Sequence, residues 1–312
     1  MVIYLMAKTN WINNVHVEGY VFNHTLQQRV AQRTGITYIS GEINVATDNK
    51  AMNVVPVRFI YVTEKYSQSK QDNPNYAVLT QIMNDNRTFE AVGTSAMKVR
   101  IDGSIYVDDF FTAAGQLASP KRIQASFIHF MNDGQEIAAQ PTKFETEMLI
   151  ENVEYKENNN GDYLDVKGYV FNFRGDILPV SFSARSAQAI KYFQAQDYPM
   201  LTKVWGKIDS TTIERKVEVE SAFGDPAVNV TTQTLRFWEI TGASPAPMEY
   251  PSDGILTDDE VVAKLAERND RLNDLMHRWE ENKAAKANPF GGNVVKPVAS
   301  NASPTSPYDF KF

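Results

Sequence analysis

The order of short strands and helices occurs twice along this chain, and this repeat constrains the fold more than any other feature. Segments 15–131 and 148–240 each contain three strand-like stretches, a short helix-like stretch and two more strands. The helix-like stretches read NYAVLTQIMN and SAQAIKYFQAQ, and the strand after each of them contains Ile-Asp. Few residues are identical, but a shared order of six elements is hard to obtain by chance.

This order is the topology of a five-stranded OB barrel, in which the helix lies between the third and fourth strands. The strands are short and bounded by Gly, Pro, Asn and Asp, which is typical of all-β proteins. We therefore predict a mainly β protein with two OB-like five-stranded barrels in tandem, in domains 1–140 and 141–243. Another β-rich pair of barrels or sandwiches is the alternative.

The composition changes after residue 243. Pro and Ser between 244 and 252 predict an extended linker. Thr257 and Glu260 form a capping-box pattern, and apolar residues then recur at helical spacing to about residue 286. We predict a linker and an amphipathic helix over 244–287. Residues 288–312 are rich in Asn, Pro, Ser, Gly and Ala, which predicts a disordered C-terminal tail with an aromatic tip at Tyr308, Phe310 and Phe312.

Side chains alternate between the two faces of a strand, so the sequence separates interior from outer positions. In the stretch 163–173 the even positions are small or aliphatic and predict a barrel interior. The outer positions then include Lys167, Tyr169 and Phe171. The same rule places Lys203, Trp205 and Lys207 outward, and it puts Arg236 and Trp238 together on one face of the closing strand.

The first repeat shows a weaker version of this pattern. Tyr20 and Phe22 share a face, Lys98 and Arg100 share another, and Arg58 lies among apolar residues. Single-stranded nucleic acid needs rings on which bases stack and cations that follow the phosphates. We predict that these residues bind single-stranded DNA. Aromatic residues also favour strands in general, so several of them could instead be core residues, as we expect for Phe127, Phe130 and Phe237.

Enzyme motifs are weak in this sequence. Tyr106-Val107-Asp108-Asp109 matches the Tyr-x-Asp-Asp hairpin of reverse transcriptases, whose carboxylates hold Mg²⁺, but the chain offers too little supporting structure around it. There is no P-loop, no cysteine, and no metal-ligand spacing among the four histidines. We expect no enzyme activity, no metal site and no cofactor.

The formal net charge of −7 argues against a protein that coats duplex DNA by bulk positive charge. It leaves room for a groove that is locally lined with Lys and Arg. The first residues, MVIYLMAKTNW, contain an apolar run that is too short for a signal peptide or a membrane span. We expect a cytoplasmic protein that does not bind membranes.

These features resemble single-stranded DNA-binding proteins, particularly those encoded by phages. The resemblance rests on OB-type strands with exposed rings at Tyr169, Phe171 and Trp205, and on a polar tail that ends in Phe312. It implies a location in the host cytoplasm and a role in DNA replication and recombination. It also implies that Tyr308, Phe310 and Phe312 bind replication and recombination proteins. The usual tip is strongly acidic, whereas this one contains Asp309 and Lys311.

The sequence thus predicts a sequence-tolerant single-stranded DNA-binding protein that coats and protects DNA. Homo-oligomers are compatible with this prediction. The alternative from another class is a structural protein, such as a virion component, in which exposed rings form protein interfaces. A Mg²⁺-dependent polymerase or nuclease is a third and weaker hypothesis.

Overall fold

The computed structural model describes residues 10–132, 134–157, 161–219 and 227–287, and it shows the mainly β fold that the sequence predicts. The predicted tail, with Tyr308, Phe310 and Phe312, lies outside the described residues. The elements of the first half are β1 Asn13–His24, β2 Gln27–Val30, β3 Thr37–Ala46, β4 Val54–Thr63, α1 Pro74–Asp85, α2 Phe89–Val92, a 3₁₀ turn Gly93–Ser95, β5 Lys98–Val107, β6 Phe110–Phe111, β7 Leu117–Ala118 and β8 Lys121–Phe130.

The second half repeats this order with fewer accessory elements. Its elements are β9 Thr142–Lys156, β10 Tyr163–Phe171, β11 Ile177–Ala184, α3 Ala187–Gln194, β12 Met200–Val219, β13 Ala227–Ala243 and α4 Asp258–Ala287. The strands β12 and β13 stay paired from Val204 and Ala243 out to Val219 and Ala227, so they continue as a two-stranded ribbon past their pairings with β9 and β11.

Both halves close into OB barrels. In the first barrel, β1 pairs with β3 and β5, β3 pairs with β4, and β8 closes the ring by pairing with β5 and, in parallel, with β4. In the second barrel, β9, β10, β11, β13 and β12 make the same five connections, including the parallel one between β11 and β13. A helix, α1 or α3, lies between the third and fourth strands of each barrel.

The first strands of the two barrels pair with each other. β1 and β9 run antiparallel with Val15 opposite Phe144, which joins both barrels into one 11-stranded sheet. Val15 also lies opposite Gly103 of β5, and Phe144 lies opposite Gly206 of β12. The two barrels therefore meet in a nearly symmetric way, with equivalent strands on both sides of the junction.

Gly103 and Gly206 occupy equivalent bulges of the fourth strand, each in its pairing with the closing strand. A Cβ atom at Gly206 would lie 1.9 Å from the carbonyl oxygen of Glu239 in the closing strand, and one at Gly103 would lie 2.2 Å from that of Gln124. No side chain fits there, so glycine allows the closing strand to approach.

Matching hydrogen bonds fix the register of the repeat. The Asn13 side chain bonds both the N–H and the C=O of Ile105, and the Thr142 hydroxyl does the same for Ile208. Ile105 is therefore the equivalent of Ile208. The two Ile-Asp pairs, Ile101-Asp102 and Ile208-Asp209, therefore differ by four positions in the register of the repeat, and they do not mark equivalent structural positions.

The long helix α4 packs on its own chain. It begins with the predicted capping box, since the N–H of Thr257 donates to the Glu260 carboxylate and the N–H of Glu260 donates to the Thr257 hydroxyl. Val261 and Leu265 pack on the outer face of the second barrel. Further along, Trp279 lies 6.1 Å from the Phe111 ring of the first barrel. The helix therefore spans both barrels.

A buried ion pair fixes α4 between these two contacts. The Arg268 guanidinium binds both carboxylate oxygens of Asp109, at 2.7 and 2.6 Å, and the two side chains are only 9% and 19% exposed. A bidentate pair in this geometry is strong and directional.

Among the helices that the structure describes, none combines the length and apolar composition that a membrane span needs.

We predict that Arg268→Ala destabilises the protein by roughly 2–4 kcal/mol, because it leaves the Asp109 carboxylate buried without its partner. The matched control is Lys264→Ala on the same helix, where the Lys264–Glu267 pair is solvent-exposed and its loss costs less than about 0.5 kcal/mol. Urea unfolding of both variants measures the difference. Equal stabilities would show that α4 is not fixed to the first barrel by this pair.

Candidate nucleic-acid interface

Trp205 is the most exposed of the rings that the sequence assigns to DNA binding. It is 38% exposed, and Lys203 Nζ lies 5.9 Å from the ring centroid. The flanking lysines are paired with carboxylates, however. Lys203 lies 2.8 Å from Glu145, and Lys207 lies 2.6 Å from Asp209. The surface around this ring therefore lacks the net positive charge that the sequence suggests.

Phe171 is not exposed, and the prediction that it is exposed is wrong. Its side chain is 1% exposed and its ring stacks on Trp11 at 3.9 Å between centroids. Tyr169 is half-buried in the same cluster, and burial together with its hydrogen bond to Glu151 raises its pKa to about 12. The linker and α4 cover this face of the second barrel. Alternation predicts the outer face of a strand but not what packs on that face.

Lys167 does lie on the outer face of β10, but it pairs with Glu154 at 2.5 Å and with Asp165 at 3.8 Å. Trp238 is buried inside the second barrel, 5.6 Å from the Phe144 ring, so the prediction of an exposed Trp238 is also wrong. Its neighbour Phe237 faces outward instead of into the core.

The predicted surface of the first barrel is largely covered. Tyr20 is buried and Phe22 is half-buried, and both rings pack on Phe89 of α2. Lys98 lies over the Tyr20 ring and donates a hydrogen bond to the carbonyl of Gln135. The prediction that Tyr20 is exposed is wrong because α2 and the segment before β9 pack over this face.

Arg100 is solvent-exposed, but its guanidinium binds one carboxylate oxygen of Glu18 at 2.7 and 2.8 Å. The backbone N–H of Ala138 donates to the other oxygen of Glu18. Burial opposes ionisation of Glu18, but these hydrogen bonds outweigh it and lower its pKa. The pair anchors the segment between the barrels.

Phe127, which the sequence assigns to the core, is 51% exposed.

Both carboxylates of the Tyr-x-Asp-Asp segment are engaged in ion pairs. Asp108 binds Arg58 at 2.7 Å and Arg122 at 3.0 Å, while Asp109 binds Arg268. Within the described parts of the chain, no group of three or more acidic or histidine side chains could hold a metal ion. In this structure the segment serves as an anchor for arginines.

The structure brings together a ring–guanidinium–ring layer on the second barrel. The Arg185 guanidinium lies 5.2 Å from the Tyr163 ring and 4.5 Å from the Phe237 ring. All three side chains are half-buried; Tyr163 begins β10, Arg185 directly follows β11, and Phe237 lies within β13. Among the residues that the structure describes, no carboxylate pairs with Arg185. A cation held between rings gains cation–π attraction while it keeps its full charge.

The first barrel carries a comparable group. The rings of Tyr38 and Tyr61 lie 4.4 Å apart at the outer ends of β3 and β4. Arg29 of β2 lies directly opposite Tyr38, and it donates a hydrogen bond to the neutral side chain of Gln27. Directly opposed residues of antiparallel strands share a face, so Arg29 is on the same face as Tyr38.

We call these two groups the ring layers: Tyr38, Tyr61 and Arg29 in the first barrel, and Tyr163, Phe237 and Arg185 in the second. The first layer lies on β3, β4 and the adjoining strand β2, and the second lies on β10, on the end of β11 and on the closing strand β13. Each combines flat π surfaces with an arginine that has no carboxylate partner among the described residues. Alternation in the sequence places Tyr163 outward. The pairing of each cation depends on contacts between distant strands, which alternation cannot reveal.

Lys121 is a further cation on aromatic rings, but it lies between the barrels. Its Nζ is 4.4 Å from the Phe182 ring and 5.2 Å from the Trp238 ring, and it donates to the carbonyl of Ser181. Burial lowers the pKa of Lys121 to about 7, and the charge of Asp165 opposes this effect only in part. Lys121 therefore contributes to the contact between barrels and not to an open surface.

Strand order and parallel closure define a protein with two OB barrels in tandem, each with rings beside an arginine on its outer face. The chain belongs to the YorF family, whose family model matches residues 12–277. No curated protein matches it.

The chain is also similar to two solved structures of the single-stranded DNA binding protein from Thermus aquaticus. A deletion mutant is 10% identical, with a TM-score of 0.45 over 79% of this chain and 100% of that chain. The wild-type protein is 11% identical, with a TM-score of 0.45 over 78% of this chain and 96% of that chain. A similarity this distant assigns no function to the chain.

We predict that Lys121→Met stabilises the protein below about pH 7 by roughly 1–3 kcal/mol, because the folded state then no longer buries an ammonium group. The folded pKa of about 7 is below the ordinary lysine pKa of 10.5, so the unfolded state binds more protons between these two pH values. The free energy of unfolding of the wild-type protein therefore increases as the pH rises from about 7 towards 10.5. The stability advantage of the variant disappears near the upper end of this pH range. Urea unfolding at a series of pH values tests this, and a pH-independent difference would contradict it.

Proposed function

We propose that this protein is a non-catalytic binder of single-stranded DNA that holds the strand along the ring layers of its two barrels. The observation that carries the proposal is the contact of Arg185 with Tyr163 and Phe237, because it combines stacking surfaces with a guanidinium that no described carboxylate neutralises. Tyr38, Tyr61 and Arg29 supply the second group of the same kind.

Unstacked bases are the ligand that fits these surfaces. Each base that stacks on an aromatic side chain contributes about 1–3 kcal/mol, and every base has a π face, so binding tolerates any sequence. In duplex DNA these faces are covered by neighbouring base pairs. The net charge of −7 also disfavours a protein that binds duplex DNA through phosphates alone.

The paired lysines around Trp205 are poor phosphate ligands by comparison. A phosphate that binds Lys203 or Lys207 must first displace Glu145 or Asp209, and the displaced carboxylate then repels the phosphate. The ring layers require no such exchange. Of the residues predicted from sequence, Trp205 therefore has a minor role.

In the cell, such a protein coats and protects single-stranded DNA during replication and recombination, as the resemblance to phage proteins implies. Tyr308, Phe310 and Phe312 would then recruit partner proteins through a polar segment of about 25 residues. The support for this part of the proposal is the composition of the C-terminal sequence, with three aromatic residues in its last five positions.

The central prediction concerns charge. Arg185→Ala lowers the affinity for oligo(dT) by about tenfold, because one stacking and phosphate-binding cation is lost. It also reduces the slope of log K against log salt by about 0.7, the value expected for one single-strand phosphate contact. Fluorescence titrations at several salt concentrations measure both quantities. The matched control is Lys203→Ala, which removes a lysine already paired with Glu145 and changes the affinity by less than about twofold.

A second prediction concerns stacking. Tyr163→Leu combined with Phe237→Leu keeps apolar volume but removes both π faces, and it weakens oligo(dT) binding by at least about tenfold. Trp205→Leu, the comparison variant, weakens it by less than about threefold, because carboxylates surround that ring. A larger loss for Trp205→Leu would place the strand on the other face of the barrel.

A further inference from the structure

Three guanidinium groups meet where the two barrels join. Arg58 of β4 lies 2.7 Å from Asp108, and Arg122 of β8 lies 3.0 Å from the same carboxylate oxygen. Arg122 also lies 3.8 Å from Glu42 of β3. Arg236 comes from β13 of the second barrel, and its Nε donates to the carbonyl of Val54 at 3.4 Å. We call Arg58, Arg122 and Arg236 the arginine cluster.

The position of Arg236 is fixed by hydrogen bonds between the barrels. Ser210, its partner across the β12–β13 ladder, donates through its hydroxyl to the Asn53 side chain at 2.7 Å. The N–H of Val54 donates to the same hydroxyl, and the Asn53 side chain donates to the carbonyl of Ile208. The second barrel therefore presents this arginine at a defined place on the outer face of the first.

The cluster carries more positive than negative charge. Three guanidiniums share two carboxylates, Asp108 and Glu42, within the part of the chain that the structure describes. Partial desolvation, with a further contribution from the charge of Arg122, lowers the pKa of Arg236, and Glu42 opposes this effect. With three positive and two negative charges, the cluster is one anion short of neutrality.

The cations are also the accessible part of the cluster. The side chains of Arg58 and Arg122 are 41% and 35% exposed, whereas those of Asp108 and Glu42 are 19% and 29% exposed. The carboxylates lie deeper and the guanidiniums lie outward, so an approaching anion meets positive charge first. Planar guanidiniums bind phosphate oxygens in pairs of parallel hydrogen bonds.

The cluster is close along the chain to both ring layers. Along β3, Glu42 is four residues from Tyr38, which is about 13 Å in an extended strand. On the other side, Arg236 is the chain neighbour of Phe237, which contacts Arg185. From these observations, and resting on the proposed function, we propose that the arginine cluster is a phosphate-binding site at which a single DNA strand crosses from the first barrel to the second.

The experiment compares two lengths of oligo(dT) on the full chain. An oligonucleotide of about 8 residues fills one OB-sized site, and one of about 30 residues spans both. Arg236→Ala lowers the affinity for the long oligonucleotide by about fivefold and its salt slope by about 0.7, and it leaves the short one within about twofold. The matched variant Arg236→Lys keeps the charge and retains most of the affinity for the long oligonucleotide.

A second variant gives a gain that misfolding cannot produce. Glu42→Gln removes one carboxylate from the cluster and raises the affinity for the long oligonucleotide by about two- to fivefold, with the short one unchanged. The proposal is overturned if Arg236→Ala weakens both lengths equally, or if neither variant affects the long one. Failure of the proposed function looks different, because the wild-type protein would then bind neither length in a salt-dependent way.

Discussion

The antiparallel pairing of β1 with β9 is the constraint on which the rest of the structure depends. It joins the first strands of the barrels around Val15 and Phe144, so that the bulge glycines Gly103 and Gly206 lie on either side of the junction. Given that pairing, β13 of the second barrel reaches the outer face of the first. α4 then closes over both barrels and is fixed by the buried Arg268–Asp109 pair.

The architecture could be predicted from the sequence because it depends on local signals. Element order identified both barrels, and the capping box at Thr257 and Glu260 identified the start of α4. The register within the repeat could not be predicted in this way. Asn13 and Thr142 make the same backbone hydrogen bonds, but one is an amide and the other a hydroxyl, and a sequence alignment does not match these two residue types.

The candidate site was predicted less well, for two physical reasons. On β1 and β10 the outer positions follow from alternation, but Phe171 and Tyr20 lie under α4 and α2, and alternation does not indicate which face a later helix covers. On β13 the two faces are exchanged, since Trp238 is buried and Phe237 faces outward. The sequence shows which residues are cationic but not which carboxylates pair with them. Lys203 and Arg100 are paired with acidic residues of neighbouring strands, whereas Arg185, which no described carboxylate neutralises, was overlooked. Charge pairing depends on strand register, which is the property the sequence specified least.

The central claim is that single-stranded DNA follows the ring layers on the outer faces of both barrels. Ultraviolet cross-linking of the full chain to oligo(dT), followed by mass spectrometry of the modified peptides, tests this most directly. We expect cross-links at Tyr163 and Phe237 in the second barrel and at Tyr38 and Tyr61 in the first. Cross-links confined to Trp205 would place the strand on the opposite face and contradict the claim.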